Sequence, residues 1–357
     1  MNPFFELIQI ALGVRDNLES VPQNREQWDD LLSTCSKHNL VAVTFPVIDS
    51  LHDKIEVPLG VYSRWAMMSE KVQQKNERLK AACKYLSELF AAGGFRSCIL
   101  KGLGVASLYP DPSLRQSGDI DIWVEGDRDV VLAFLKDKCT VTDIVYHHCH
   151  THIIKGVSVE VHFTPTWMNS PCYNRKLQKY FSSNADSQFG NYVGELGFSI
   201  TTLRMSAVYL LIHIYRHVLD EGIGFRQLLD YYYVLNVLDS QTRKNVIKDL
   251  KSLGMMRFAA GVMYILREVF AIDPDLMLCK PDYRQGKFLL EEILVSGNFG
   301  KFDSRNAHSM DESRLMHGKR KLRRALRFLA YYPSEVLSLP LFLVWHYFWR
   351  LRKGYIK

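Results

Sequence analysis

An Asp-x-Asp set in an apolar run, Gly118-Asp119-Ile120-Asp121-Ile122-Trp123-Val124, constrains this chain more than any other stretch. In an extended strand, side chains two apart share a face, so Asp119 and Asp121 project together while Ile120 and Ile122 turn to a core. Two carboxylates held this way repel each other, and burying them calls for a cation between them. Asp-x-Asp also occurs in turns and on solvated strand faces, so a third carboxylate matters. Val157-Ser158-Val159-Glu160-Val161-His162-Phe163 places its valines on one face and Glu160 on the other. A neighbouring strand bringing Glu160 beside Asp119 and Asp121 makes a cluster of hard oxygen ligands. Such a set suits Mg²⁺, which takes one or two carboxylates together with substrate phosphates and keeps several waters.

Upstream, the apolar run Cys98 to Leu100 ends in Lys101-Gly102, LGVASLY reads as two helical turns, and Pro110 and Pro112 break the chain. This order (strand, glycine turn, helix, hydrophobic-Asp-hydrophobic-Asp strand, later lone acid) resembles the DNA polymerase beta-like nucleotidyltransferase superfamily. More narrowly, LKGLGVASLYPDPSLRQSGDIDIWV, VEVHFTPTWMNSP and LIHIYRHVLDEGIGFRQLLDYYYVL are similar to an uncharacterised bacterial nucleotidyltransferase family, over roughly residues 60 to 240. The resemblance implies an α+β fold: a polymerase beta-like core, a small mixed sheet with flanking helices, embedded in mostly helical N- and C-terminal regions. It implies transfer of a nucleoside monophosphate from an NTP such as ATP to a hydroxyl of a small molecule or protein. Two Mg²⁺ ions, or Mn²⁺ in their place, would lie on Asp119, Asp121 and Glu160. Asp119 and Asp121 would bridge them, and Glu160 would take the acceptor side and help remove its proton.

Phosphoryl chemistry is mostly positioning and charge neutralisation, so cations belong nearby. Lys101 and Arg115 are the local candidates, Lys101 at a strand-to-helix turn whose amides favour anions. A solvated loop arginine is the plain alternative for Arg115. Gly102 forms the turn, and Ser117 and Gly118 shape the approach to the metal strand. By resemblance, His213, His217, Arg226 and Asp230 belong to a helical domain facing the cleft. Arg226 is then a nucleotide or acceptor contact, with an Arg226 to Asp230 helix-surface pair as the competing reading. The expected Gly-Ser after the first strand is Lys101-Gly102 here, and the linker to Asp119 is long. These departures touch phosphate handling and substrate choice. They keep open an inactive nucleotide-binding or regulatory module, and nucleotidyl transfer to RNA stands as a further alternative.

At 357 residues, 47% hydrophobic and 23% charged, the chain can bury a large core in several units. The expected division is a helical region 1–92, a catalytic core 93–165, a helical domain 166–317 and a basic aromatic tail 318–357. The N-terminal MNPFFELIQIALGVRD has no basic stretch before its apolar part and no small-residue cleavage site, so it reads as a helix. Seven scattered cysteines without CxxC pairs point to reduced thiols and a cytoplasmic protein.

Trp28, Leu31, Leu32 and Cys35 recur at helical spacing; LVAVTFPVI reads as a short helix stopped near Pro46, and a long periodic stretch from Val61 ends at Gly93-Gly94. VVLAFLKDK is a helix and TVTDIVYH a returning strand. His147-His148-Cys149-His150-Thr151-His152 holds four histidines and a cysteine in six residues. Structural zinc, a substrate or phosphate contact, and plain hairpin histidines are all open readings, since adjacent extended positions seldom wrap a tetrahedral ion alone. His162 shares the Glu160 face and is either its orienting partner or a packed strand histidine. Residues 296–314 read as polar loop.

The tail from Lys319 to Lys357 holds ten Lys or Arg against the single acid Glu335, a net +9. Because the whole chain is +7, the rest sums to −2. The basic character is therefore local and argues against a nucleic-acid groove over the catalytic module. LPLFLVWHYFW, flanked by KRKLRR and RLRK, is too short and too broken by Pro340 for a membrane span. It fits a helix packed on the body or on a second subunit, an anionic membrane surface at the inner face of the membrane, or, less well, nucleic acid.

Overall fold

The computed structural model describes residues 2–52, 54–303, 305 and 314–356. Helices α1 (Pro3–Ala11), α2 (Arg25–Lys37), α3 (Val41–Leu51) and α4 (Leu59–Ala92) come first. The spacing of Trp28, Leu31, Leu32 and Cys35 puts all four inside, and the Asn24 side chain accepts from Gln27 N to start α2. Helix α3 does not stop at Pro46 but runs through it to Leu51. The missing N–H removes one ladder bond, to the carbonyl of Ala42, and the buried face continues through Val47, Ile48 and Leu51. With 34 residues, about 50 Å at the usual rise, α4 links two cores. Its Val61 and Trp65 belong to the larger helical core, and its Leu79, Cys83, Leu86 and Phe90 to the core under the sheet. It ends at Gly93, followed by Gly94 at φ +82°.

The middle of the chain supplies β1 (Ser97–Ile99), α5 (Leu103–Ala106), β2 (Ile120–Val124), α6 (Arg128–Lys138), β3 (Val141–Thr142), β4 (His148–Thr151) and β5 (Val159–His162). They form a five-stranded mixed sheet in the order β1-β2-β5-β4-β3, with β2 and β5 parallel. Ile120, Ile122, Val124, Val159, Val161 and Cys149 cover α4 and α6 from one face of the sheet. Two elements are shorter than their sequences suggest. Helix α5 is a single turn, and β3 ends after two residues because Asp143 adopts a left-handed φ of +47°.

Beyond the sheet come α7 (Pro171–Phe189), the hairpin β6 (Tyr192–Val193) and β7 (Phe198–Ser199), then α8 (Leu203–Asp220), α9 (Phe225–Val237), α10 (Ser240–Ser252), α11 (Met256–Phe270), α12 (Tyr283–Ser296), α13 (Arg314–Leu326) and α14 (Pro333–Arg352). Helix α8 is buried nearly all round, as its crowded apolar sequence requires. The large core runs without interruption from Phe4 of α1 through α8–α11 to Leu339 of α14, so the helices at the two ends of the chain share one interior. Of the expected loop 296–314, residues 304 and 306–313 lie outside those described, while 298–300 make a 3₁₀ turn. The fold is α+β, a small mixed sheet among many helices.

The tail is a packed helix on one side only. Glu335, buried, accepts from Asn169 N and Ser170 N and pairs with Arg216 at 3.0 Å. Burial pushes its carboxyl above the usual range against the pull of Arg216. His346 accepts from Tyr146 N at 3.2 Å, and the Arg128 guanidinium lies over the Trp349 ring at 4.8 Å. The opposite side of α14 faces outward. No helix among the described residues is long and apolar enough to cross a membrane.

Candidate active site

Strand register brings Asp121 and Glu160 together. In the parallel β2–β5 pair Asp121 stands opposite Glu160, and in the antiparallel β4–β5 pair His150 stands opposite Glu160 and His148 opposite His162. Neighbours across a ladder share a face. Since Ile120, Ile122, Val159 and Val161 fill the core, Asp121, Glu160, His162, His148 and His150 point the other way. Asp119 immediately precedes β2, and both aspartates and Glu160 line one cleft of about 1130 Å³. A cleft of this size exceeds most small-molecule sites.

Charge in the cluster is tightly balanced. Lys101 Nζ lies 3.1 Å from Asp121 Oδ2 and 4.0 Å from Asp119 Oδ1, so this ammonium stands between the two aspartates. It also donates to His213 Nε2 at 3.3 Å, and burial followed by the Lys101 charge keeps His213 neutral, well below the usual imidazole range. His162 Nε2 donates to Asp121 Oδ1 at 3.1 Å and lies 3.5 Å from Glu160 Oε2. Burial opposes ionisation of Asp121 and Glu160, but Lys101 and His162 outweigh it and both carboxyls fall below their ordinary values. Conversely, the hydrogen bonds to Asp121 and Glu160 overcome the burial of His162 and lift it to about 9. Lys101 is raised for the same reason, by Asp119, Asp121 and Glu160 against its burial. Asp121 and Glu160 are thus carboxylates matched by Lys101 and a protonated His162.

The other expected site residues are placed as follows. Gly102 has φ +69° and ψ −116°, a conformation closed to other residues, and turns the chain after β1 so that Lys101 points into the cleft. The helix it opens has four residues, so little macrodipole is available to a phosphate. Ser117 is buried and accepts from Arg115 Nη1 at 3.0 Å, while the carbonyl of Gly118 accepts from Lys75 Nζ at 2.9 Å. Arg115 is not a solvated loop residue. Its guanidinium, 2% exposed, makes a two-pronged contact to Asp230 at 2.7 and 2.6 Å, and Tyr109 donates to the same carboxylate. Arg226 therefore does not take Asp230. It is buried on α9 and donates to the carbonyl of Gln116 at 2.9 Å. Neither arginine lines the cleft, whereas His213 and His217 do.

The far wall is built from segments whose order in the chain shows no link to the cleft: Trp167, the turn Phe299–Asp303, and Arg320, Lys321 and Arg324 of α13. Gly300, at φ +64°, lets that turn press on the α8–α9 connection; a Cβ there would lie 2.0 Å from the Glu221 carbonyl oxygen. Arg324 is held by Asp303 and the Val218 carbonyl, and Arg216 by Glu335 and Asp220. The KRKLRR run that α13 carries shows its charge but not which cleft it borders.

No curated protein matches the chain. Among solved structures it is similar to an antigenic nucleotidyltransferase-like protein from Paracoccidioides brasiliensis, with 12% identity and a TM-score of 0.31 over 50% of this chain and 93% of that one. Residues 24–271, which carry the sheet, the acidic cluster and α8–α11, match a family described as uncharacterised nucleotidyltransferases, and the chain belongs to that family.

Proposed function

We propose that the protein transfers a nucleoside monophosphate from an NTP to a hydroxyl of a small molecule or protein, using divalent ions held by Asp119, Asp121 and Glu160. The observation that carries this is the parallel pairing of β2 and β5, which sets Asp121 opposite Glu160, with Asp119, one residue before β2, lining the same cleft. The donor set fits hard cations: buried Asp121 Oδ2 accepts no hydrogen bond among the described residues and has Lys101 as its neighbour. Bound Mg²⁺ or Mn²⁺, one ion or two, would acidify the acceptor hydroxyl and neutralise the triphosphate. The chain's own groups do the rest. The acceptor oxygen bonds to the α-phosphorus, the bond to the bridging oxygen breaks, and pyrophosphate leaves. Glu160, ionised at neutral pH, takes the hydroxyl proton, and His162 holds Glu160 and Asp121 in place. Lys101, which lines the same cleft beside both aspartates, would supply positive charge to the triphosphate. Lys301, Arg320 and Lys321 across the cleft favour an anionic end of either substrate.

One observation favours a second reading, an inactive nucleotide-binding or regulatory module: Lys101 already supplies a cation to both aspartates. A single set of incubations separates them. With α-labelled NTP and Mg²⁺ in cell extract, label passes to an acceptor with the wild type and not with Asp119→Asn, and γ-label does not pass. Metal-dependent thermal stabilisation by NTP without any labelled product would leave only the inactive module.

For the tail, the reading best supported is a peripheral contact with an anionic membrane at its cytoplasmic face. Leu337, Leu341, Val344, Trp345, Phe348 and Leu351 are all exposed, Leu341 at 68% and Phe348 at 61%, and their spacing puts them on one side of α14. A second copy could cover such a face, but Arg350 and Arg352 in the last turn of α14 would then meet like charge, whereas anionic lipid offsets them. The expectation that the tail's basic character stays away from the catalytic module does not hold: α13 brings Arg320, Lys321 and Arg324 to the cleft that Asp119 lines, so net charge does not decide against RNA, which stays the further alternative. All seven cysteines are free thiols, which suits a reducing compartment.

A further inference from the structure

Two imidazoles converge on Glu160 from the neighbouring strand, on the side away from Lys101. His148 Nδ1 is 3.5 Å from Glu160 Oε2, and His150 Nε2 is 3.6 Å from Glu160 Oε1. One ligand atom from each of the three residues can be chosen so that all lie within 4.8 Å of one another. Good N–H···O bonds are about 2.7–3.2 Å long, so neither contact is one. Each separation instead has the length of one ligand-to-ligand edge, about 3.3–3.6 Å for nitrogen and oxygen ligands bonded at about 2.0–2.2 Å to one ion, and the two run to the two different oxygens of the Glu160 carboxylate. We propose that His148, His150 and Glu160 form a binding site for a single first-row transition-metal ion of Zn²⁺ character, next to the Asp119–Asp121 position and sharing Glu160 with it.

The topology explains why the histidine run alone could not show this. Alternate residues of β4 put His148 and His150 on one face, and β4–β5 register places the Glu160 carboxylate opposite His150. The third ligand thus comes from another strand, and the geometry no longer depends on adjacent extended residues wrapping an ion. Two nitrogens and one carboxylate select a softer cation than Mg²⁺. His148 and Glu160 line the cleft, so a fourth position is open to water or substrate, as in catalytic zinc sites. His147 Nε2 lies 2.7 Å from His148 Nδ1 and gives up that contact when the ion binds. Asp121 and His162 flank the site through their own hydrogen bond. His152, exposed at the end of β4, takes no part.

The test uses metal-stripped full-length protein without nucleotide, with Zn²⁺ followed by calorimetry and Co²⁺ by its visible absorption. The expected result is one tight equivalent of Zn²⁺ and a tetrahedral Co²⁺ spectrum, both weakened at least about tenfold in His150→Gln and in His148→Gln, and both retained in Asp119→Asn. His150 is 35% exposed on its side chain, so its replacement leaves the fold intact, which far-ultraviolet circular dichroism checks. Zn²⁺ binding no tighter than Mg²⁺ overturns the proposal. Unchanged binding in both histidine variants does so too, as does a loss in Asp119→Asn equal to that in His150→Gln. Because no NTP is present, a failure to detect nucleotidyl transfer leaves this result standing, and a negative here leaves the transfer reading standing.

Discussion

A buried ionisable side chain is kept either by a partner or by giving up its charge, and both solutions occur here. His38 takes the second. It stacks on Phe4 at 5.3 Å and meets the edge of Phe225 at 4.7 Å, its Nδ1 has no hydrogen-bond partner, and burial, with Lys37 nearby, lowers it to about 3. Unfolded, the same imidazole titrates near 6.5. From pH 6.5 down to about 3 the unfolded chain therefore binds a proton that the folded chain refuses. Stability falls across that window by up to about 1.4 kcal/mol per pH unit from this residue alone. Urea unfolding at pH 7, 6 and 5 should show a shallower loss in His38→Phe than in the wild type. Equal slopes would remove His38 from the account. Nothing in the sequence around His38 distinguishes it from the other histidines, because the aromatic residues that desolvate it lie at positions 4 and 225.

At the scale of elements, the loop between α5 and β2 is fixed by one ion pair to α9. Arg115 and Asp230 are both buried, with side chains 2% and 4% exposed, and Tyr109 and Ser117 complete the contacts. Removing one partner leaves an uncompensated interior charge. Asp230→Ala should cost roughly 3–5 kcal/mol in denaturant unfolding. The double change Arg115→Met, Asp230→Leu should recover most of that loss, though Tyr109 and Ser117 are left unpaired. A double variant no more stable than Asp230→Ala would mean the pair acts through something other than charge. That loop leads directly to Asp119, so the pair's service to the site is to aim the metal strand. The sequence shows the arginine, the aspartate and the helix. It cannot show that Asp230 faces Arg115 rather than Arg226, four residues away on the same helix, because that choice is made by how α9 packs.

For the whole molecule, the cleft and the tail are joined through Glu335, Asn169, Ser170 and Arg216, so α14 is anchored to the body on its inner side and apolar on its outer side. Full-length protein should co-sediment with vesicles containing phosphatidylglycerol at low salt. It should bind them at least about tenfold less at 0.5 M salt, because charge attraction is screened there. Leu341→Glu with Phe348→Glu should abolish the binding without lowering the melting temperature, since both side chains already face water. A protein that ignores such vesicles and instead elutes as a dimer broken by the same changes would assign the face to a second copy.

Local repetition in the sequence settled much of this protein: the amphipathic α2, the all-apolar α8, and the alternation that sends Asp119, Asp121 and Glu160 away from the valines and isoleucines. Alternation tells each residue which face it occupies, because the backbone period is fixed by short-range sterics. It does not name the neighbour across the face. Tertiary structure alone set Glu160 beside Asp121 and His150, put Lys101 between the aspartates, brought α13 to the far wall of the cleft and left one side of α14 uncovered. Those relations depend on strand register and helix packing between segments far apart in the chain. Their free energy comes from the shared core, which no single stretch of sequence contains.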